Sequence, residues 1–359
     1  MLKTLDRYII RQFLGTFFYI LGIIMAVAVV FDISEKTEDF AKMKATFSET
    51  VTDYYLNFVI YYANLFSGLI IFLAVLIFTS RLAHRSEVIA ILSSGVGFRR
   101  FMWPYFLAAT FLTGIALLVN HKVLPEANRT RLAFEEANIR NPFQVHDKHL
   151  HREIAPGVIA YCQSYDVSLR TAYQFSLEQW DGQRLRSKLI SDRAVYDTLA
   201  GTWTVHNYTV RDLSDKGERL SHGGSLDTLI ALRPEDLGRR NELTTSMTTP
   251  ELDRFIREET SRGSSTVAFA RIERHQRTSY PFASYVFTLI GLSISSRKVR
   301  GGTGAHLALG VLLILLYIFA MKITTVAATN AGLDPLIAVW LPNIIFGLVG
   351  LWIYQRAPK

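Results

Sequence analysis

The sequence predicts an α-helical membrane protein with six transmembrane helices, three before and three after an inserted β-rich domain, a small sandwich or jelly roll. Three observations point there: six apolar runs, a polar stretch between the third and fourth of them, and basic residues gathered in alternate short loops. The runs are 13–31, 56–79, 101–119, 280–294, 307–328 and 336–354. Most approach the roughly 20 residues a helix needs to cross about 30 Å of hydrocarbon. Runs this long without alternation are helices, because only helices and closed barrels satisfy every backbone group in lipid.

Run one follows Lys3, Arg7 and Arg11. Ala26-Val27-Ala28 has the small-x-small pattern of a processing site, yet the 19 apolar residues exceed the roughly 7–15 of a signal core. The run is therefore read as a retained helix. Arg81, Arg85, Arg99 and Arg100 lie between runs two and three, and Arg297, Lys298 and Arg300 between four and five, with Arg356 and Lys359 at the end. Residues 32–55 carry six acids against three lysines, and the last loop only Asp334. Because Lys and Arg are retained on the cytoplasmic side, both termini are expected in the cytoplasm and the insert outside it. Run four is short, and the apolar and basic stretch before it can extend it.

The net charge of +8 does not imply a nucleic-acid partner. Residues 120–278 hold 23 Lys plus Arg and 22 Asp plus Glu, so the excess lies in the membrane loops, where it sets topology. The one cysteine, Cys162, falls in the insert and has no internal partner for a disulfide.

The expected domains are 1–119, with three spans and a cytoplasmic helix at about 81–95; 120–248, β-rich; 249–278, connecting helices; and 279–359, three spans. Short alternating bursts at Val158-Ile159-Ala160-Tyr161, Tyr173 to Leu177, Ala194-Val195-Tyr196 and Thr202 to Val205 read as strands. The expected breaks are Asp181-Gly182, Gly201, Lys216-Gly217 and Gly223-Gly224, and the spacing suits a small sandwich or jelly roll. Thr249-Pro250-Glu251 starts a helix to about Glu259, and a second helical stretch with Arg271, Arg274 and Arg277 leads into run four.

Two groups of residues are candidates for function. In the loop from Ser80 to Gly95, Val88, Ile91 and Leu92 recur at helical spacing, Gly95 suits a left-handed cap, and Glu87 lies toward the polar side. Such a helix either rests in the headgroup layer or docks in a partner's groove, its apolar stripe as anchor and Glu87 paired with a partner base. The second group is cationic: Lys36, Lys42 and Lys44 after run one, Lys122, Arg129 and Arg131 after run three, and Lys322 within run five. Lys322 lies fifteen steps after Leu307, about 22 Å along a helix, toward the outer third of the bilayer. A charge there costs at least about 2.5 kcal/mol on insertion scales, which makes it a functional candidate unless it snorkels to the headgroups.

The sequence has no Gly-x-x-x-x-Gly-Lys-Ser/Thr phosphate loop; Arg300-Gly301-Gly302-Thr303-Gly304 lacks the lysine and the preceding strand. His146, His149 and His151 have neither a His-Glu-x-x-His helix nor a cysteine pair beside them, and read as a solvated loop. No catalytic residue, metal site or cofactor is expected on this chain.

Leu5-Asp6-Arg7-Tyr8-Ile9, Arg85-Ser86-Glu87-Val88 through Ser94-Gly95, Leu189 to Asp197 and Gly201-Thr202-Trp203-Thr204-Val205 together resemble the lipopolysaccharide-export permeases LptF and LptG. The likeness covers essentially the whole chain, and the amino-terminal phrase is closer to LptG. It implies a permease subunit in the bacterial inner membrane, paired with an LptF-like paralogue and driven by a cytoplasmic LptB-like ATPase dimer that holds ATP and Mg. It implies a periplasmic β-jellyroll that meets an LptC/LptA-like adaptor, and lipopolysaccharide and membrane lipid as ligands. Under it, Arg85, Ser86, Glu87, Val88, Ile91, Leu92 and Gly95 form the ATPase-coupling helix. Lys36, Lys42, Lys44 and Lys322 lie where cargo phosphates pass, Arg129 and Arg131 match the family's basic pair only approximately, and Lys322 rests on its place in the membrane alone. Two other classes fit the layout: a polytopic enzyme acting on a lipid headgroup, and a permease of another lipid- or lipoprotein-exporting ABC system.

Overall fold

The computed structural model describes residues 3–43, 45–139, 149–167, 169–198, 200–214, 217–232, 234–237, 241–261, 264, 266–297 and 304–357. They form two compact units: the membrane helices with residues 244–253, and a second unit of 140–243 with 254–267.

In the first unit, α1 (Thr4–Glu35) is followed by short helices α2 (Thr37–Lys42) and α3 (Phe47–Glu49) and a π-helical turn at Thr50–Tyr55. At 32 residues, α1 is about 48 Å long, so it projects beyond the hydrocarbon. Predicted run two is a broken helix, α4 (Leu56–Leu65) and α5 (Ser67–His84), with Ser67 Oγ donating to the Asn64 carbonyl at the break around Phe66. Next come α6 (Glu87–Ser93) and α7 (Phe98–Leu118), and a π turn at Val119–Val123 carries α7 into α8 (Leu124–Asn138). The β-rich region therefore does not begin at residue 120 as expected. Residues 124–138 stay helical because Pro125 suits a helix start and Leu124, Ala127, Leu132 and Phe134 are buried.

After the insert, α10 (Thr249–Ser261) starts at the expected Thr249-Pro250-Glu251, with the Thr248 N–H donating to Glu251 Oε2 at 2.8 Å. The rest is α11 (Thr266–Ser295), α12 (Gly304–Asn330) and α13 (Pro335–Gln355). Among the described residues five helices are long and apolar enough to cross a bilayer: α1, α5, the α7–α8 rod, α12 and α13. The predicted fourth run is the second half of α11 and differs in kind. Its Ser279, Ser284, Thr288, Ser293 and Ser295 are buried among protein neighbours, not turned to lipid. Small and hydroxyl side chains let helices approach closely, and a methyl on Gly291 would stand 3.1 Å from Val75 and 3.2 Å from Phe72 of α5. Gly310 of α12 is pressed against Leu76 of α5, so α5 packs against both α11 and α12.

The second unit is an antiparallel sheet of β1 (Leu150–Ala155), β2 (Val158–Cys162), β3 (Ser164–Asp166), β4 (Thr171–Asp181), β5 (Arg184–Asp197), β6 (Thr202–Ser214) and β7 (Gly217–Thr228), with the short helix α9 (Pro234–Leu237) after it. The path is β1-β2-β4-β5-β6-β7 with β3 beside β4. This is a meander, not the crossed Greek-key order of a two-sheet jelly roll. The expected breaks at Asp181-Gly182 and Gly201 fall between strands and Gly217 opens β7, whereas Lys216 lies outside the described residues. Gly223-Gly224 is not a break. Gly223 pairs with Tyr208 and leaves room for that ring, so the glycine marks close approach inside a strand.

The sheet's apolar side buries Ala160, Cys162, Tyr165, Ala172, Phe175, Ala194, Trp203, Val205 and Leu232. Trp203 stacks near Phe175 and donates its indole N–H to the Leu232 carbonyl at 2.8 Å. Burial pushes the Cys162 thiol up to about 12, leaving almost no thiolate at neutral pH. The native protein should therefore resist N-ethylmaleimide at pH 7.5 until denatured. Trp203→Ala, which removes about 3–5 kcal/mol of packing, should open Cys162 to labelling; rapid labelling of the unsubstituted native chain would contradict this core.

Candidate functional site

Polar side chains gather at the two ends of the membrane unit. At one end stands α6, about two turns long, entered through Ser86 in the left-handed region (φ 62°) and left through Gly95 (φ 87°). Val88 is 1% exposed, and Val88, Ile91 and Leu92 share an apolar cluster with Leu5, Ile9, Leu82, Phe98, Phe101 and Ala357. Within this chain the stripe fastens the helix to its own bundle. The free face is Arg85, Ile89, Ala90, Ser93, Ser94 and Gly95, with Ile89 53% exposed. Glu87 is half-buried, accepting from Tyr8 Oη at 3.4 Å, with Arg85 Nη1 at 3.9 Å from its other oxygen. Behind it, Arg100 holds the buried Asp6 through two parallel bonds of 2.7 Å, and the Lys3 backbone N–H donates to Asp6 at 2.9 Å. Asp6, Tyr8 and Arg100 were not singled out as site residues from sequence; an acid in the first turn of a basic helix start is the signal that could have marked Asp6.

At the other end, the candidate cations prove unequal. Lys36 donates to Asp32 at 2.8 Å and to the Tyr54 hydroxyl. Tyr54 and Tyr55, adjacent in the π-helical turn, both donate to Asp32, at 3.0 and 3.3 Å. Burial first and Asp32 second push the Tyr54 phenol well above its ordinary value, so it stays protonated. Arg131 is buried, bonded to Glu135 at 2.6 Å and to Asn128 at 3.3 Å, and lies over the Tyr61 ring. Arg129 bridges Glu126 and Glu251 at 3.2 and 2.7 Å. These three are occupied. Lys42 is 77% exposed with Glu38 at 4.0 Å, a weak pairing at best. Lys322 is exposed on α12 beside exposed Phe319, Ile323 and Val326. Lys44 lies outside the described residues.

In the sheet unit, His149 Nδ1 lies 2.8 Å from the Tyr161 hydroxyl and His151 is against the same ring; His146 lies outside the described residues. Among the described residues no three of His, Cys, Asp and Glu gather as metal ligands.

The burial contrast among the cations has a consequence for stability. Removing one partner of a buried pair leaves an uncompensated charge, so Arg131→Ala should lower unfolding stability by about 3–5 kcal/mol. The exposed Arg129→Ala should stay within about 1 kcal/mol. Thermal unfolding in detergent checks this, and equal shifts for the two would reject the distinction.

The profile of the lipopolysaccharide export system permease LptF/LptG family matches residues 7–356. No curated protein matches the chain. The match takes in nearly the whole length, and the chain belongs to that family.

Proposed function

We propose that this family member is the transmembrane permease subunit of an ABC transporter that extracts lipopolysaccharide from the bacterial inner membrane and passes it to a periplasmic bridge. The observation that carries the reading is the family match from residue 7 to 356, which spans both triplets of membrane helices and the insert between them. The second half of α11 serves as the sixth span, its polar residues shielded by neighbouring helices. Both termini and α6 lie in the cytoplasm and the sheet unit in the periplasm, as the loop charges require. The amino-terminal phrase Leu5 to Ile9 favours the LptG role, with an LptF-like paralogue as partner.

Energy comes from a cytoplasmic ATPase dimer that binds ATP and Mg. The outward face of α6, with Ile89 at its centre and Arg85 and Glu87 at its start, enters the ATPase groove, while Val88, Ile91 and Leu92 hold the helix to the permease. The exposed apolar faces of α1 (Tyr19, Ile23, Val30, Phe31) and α12 (Leu315, Phe319, Ile323) face lipid and the paralogue. Amphiphilic cargo passes there, because its acyl chains need apolar cover throughout. Of the cations, Lys42 and Lys322 are open to its phosphates, and a partly desolvated ammonium gains more from a phosphate than one in water does. Lys36, Arg129 and Arg131 shape the entrance instead. The exposed β7 edge is available to a jellyroll adaptor by strand addition.

One purified preparation tests both ends. Glu87→Lys and Ile89→Asp should abolish copurification of the ATPase, and Lys42→Ala with Lys322→Ala should lower photo-crosslinking to lipopolysaccharide severalfold at unchanged expression. Undiminished ATPase recovery sinks the docking face. Undiminished crosslinking returns the two lysines to snorkelling and solvation.

A further inference from the structure

The coupling helix has chain connections to only two of its neighbours. It follows α5 and precedes α7, so any displacement of α6 reaches those helices through the backbone. No such connection leads to α1, although α1 has the smallest buried share of the five candidate spans and presents exposed apolar side chains along much of its length. What joins α1 to this end of the unit is side chains. Leu5, Ile9 and Phe13 pack in the cluster that holds Val88, Phe98 and Phe101. Apolar contact of this kind resists separation but is non-directional, so it gives little resistance to sliding. The polar contacts are directional. Arg100, in the first turn of α7, grips both oxygens of Asp6 in the first turn of α1, and the 2%-exposed carboxylate is further fixed by the Lys3 N–H. Tyr8, two residues on, donates to Glu87, the first residue of α6.

We propose that Asp6 and Arg100, with Tyr8 beside them, are positioning residues that make the base of α1 follow the coupling helix. A planar guanidinium matched to a carboxylate through two parallel bonds fixes distance and orientation together, which a single point contact does not. When α6 is displaced, α7 moves with it, Arg100 carries Asp6, and the Tyr8–Glu87 contact keeps the start of α1 in register with α6. The apolar length of α1 then shifts as a rod against its neighbours. Without the fork, α5 and α7 would move while α1 slid on its apolar seat. This inference rests on the coupling assignment of α6, and its test separates the two.

The test uses the assembled transporter in proteoliposomes, reading lipopolysaccharide extracted per ATP hydrolysed for Asp6→Asn, Arg100→Gln and the double variant. ATPase copurification should stay at the unsubstituted level in all three. The ratio should fall about tenfold in each single variant, and the double should fall no further than the worse single, because the two groups act as one unit. Asp6→Glu, which keeps the charge, should recover part of the ratio. Hydrolysis and extraction falling together, with the ratio unchanged, would mean that the pair only holds the fold and would overturn the proposal; so would multiplicative losses in the double variant. A defect in the coupling assignment appears elsewhere, as ATPase retained by Glu87→Lys.

Discussion

A hydrocarbon slab that offers no hydrogen-bond partner governs this chain. Every backbone group crossing it must be paired within its own helix, and every charge must be paired, shielded or carried to an edge. The polar chemistry accordingly collects at two levels. At one, Asp6 and Arg100 close on each other beside Glu87 and Tyr8. At the other, Asp32, Lys36, Tyr54 and Tyr55 form one network, and Arg131, Glu135 and Asn128 another. Between them lie apolar side chains and the small and hydroxyl residues that let α5 press against α11 and α12.

This separation gives the transporter reading its mechanics. Val88 seats α6 on its own bundle, and the chain joins the helix directly to α5 and α7. The two apolar roles proposed for α6, to hold to the permease and to meet an ATPase, fall on residues one position apart, Val88 buried and Ile89 exposed. At the other level the buried pairs set shape, and the exposed Lys42 and Lys322 are the two cations proposed to meet a phosphate.

How legible this was from sequence follows from the range of each interaction. Five of the predicted runs sit on helices long and apolar enough to span, and the β bursts at 158–161, 173–177, 194–196 and 202–205 lie in strands, because hydrophobic periodicity is a local signal. The fourth run read poorly because its serines and threonines are excused by neighbours far along the chain. The stripe of α6 was found, but periodicity does not say which body it faces. The partners of the cations are the least local. Lys36 beside an acid four residues earlier was visible, whereas Arg129 with Glu251 and Arg100 with Asp6 join residues 122 and 94 positions apart, and no local pattern announces them. Strand order escaped for the same reason, since turn spacing serves a meander and a jelly roll alike.

The proposed transport requires α6 in the cytoplasm and strand β7 in the periplasm. Single cysteines at Ser93 and Leu220, placed in a Cys162→Ala background, test it with a membrane-impermeant maleimide. Intact spheroplasts should label position 220 and spare 93, and inverted vesicles should do the reverse. Labelling of both positions from one side alone would contradict it.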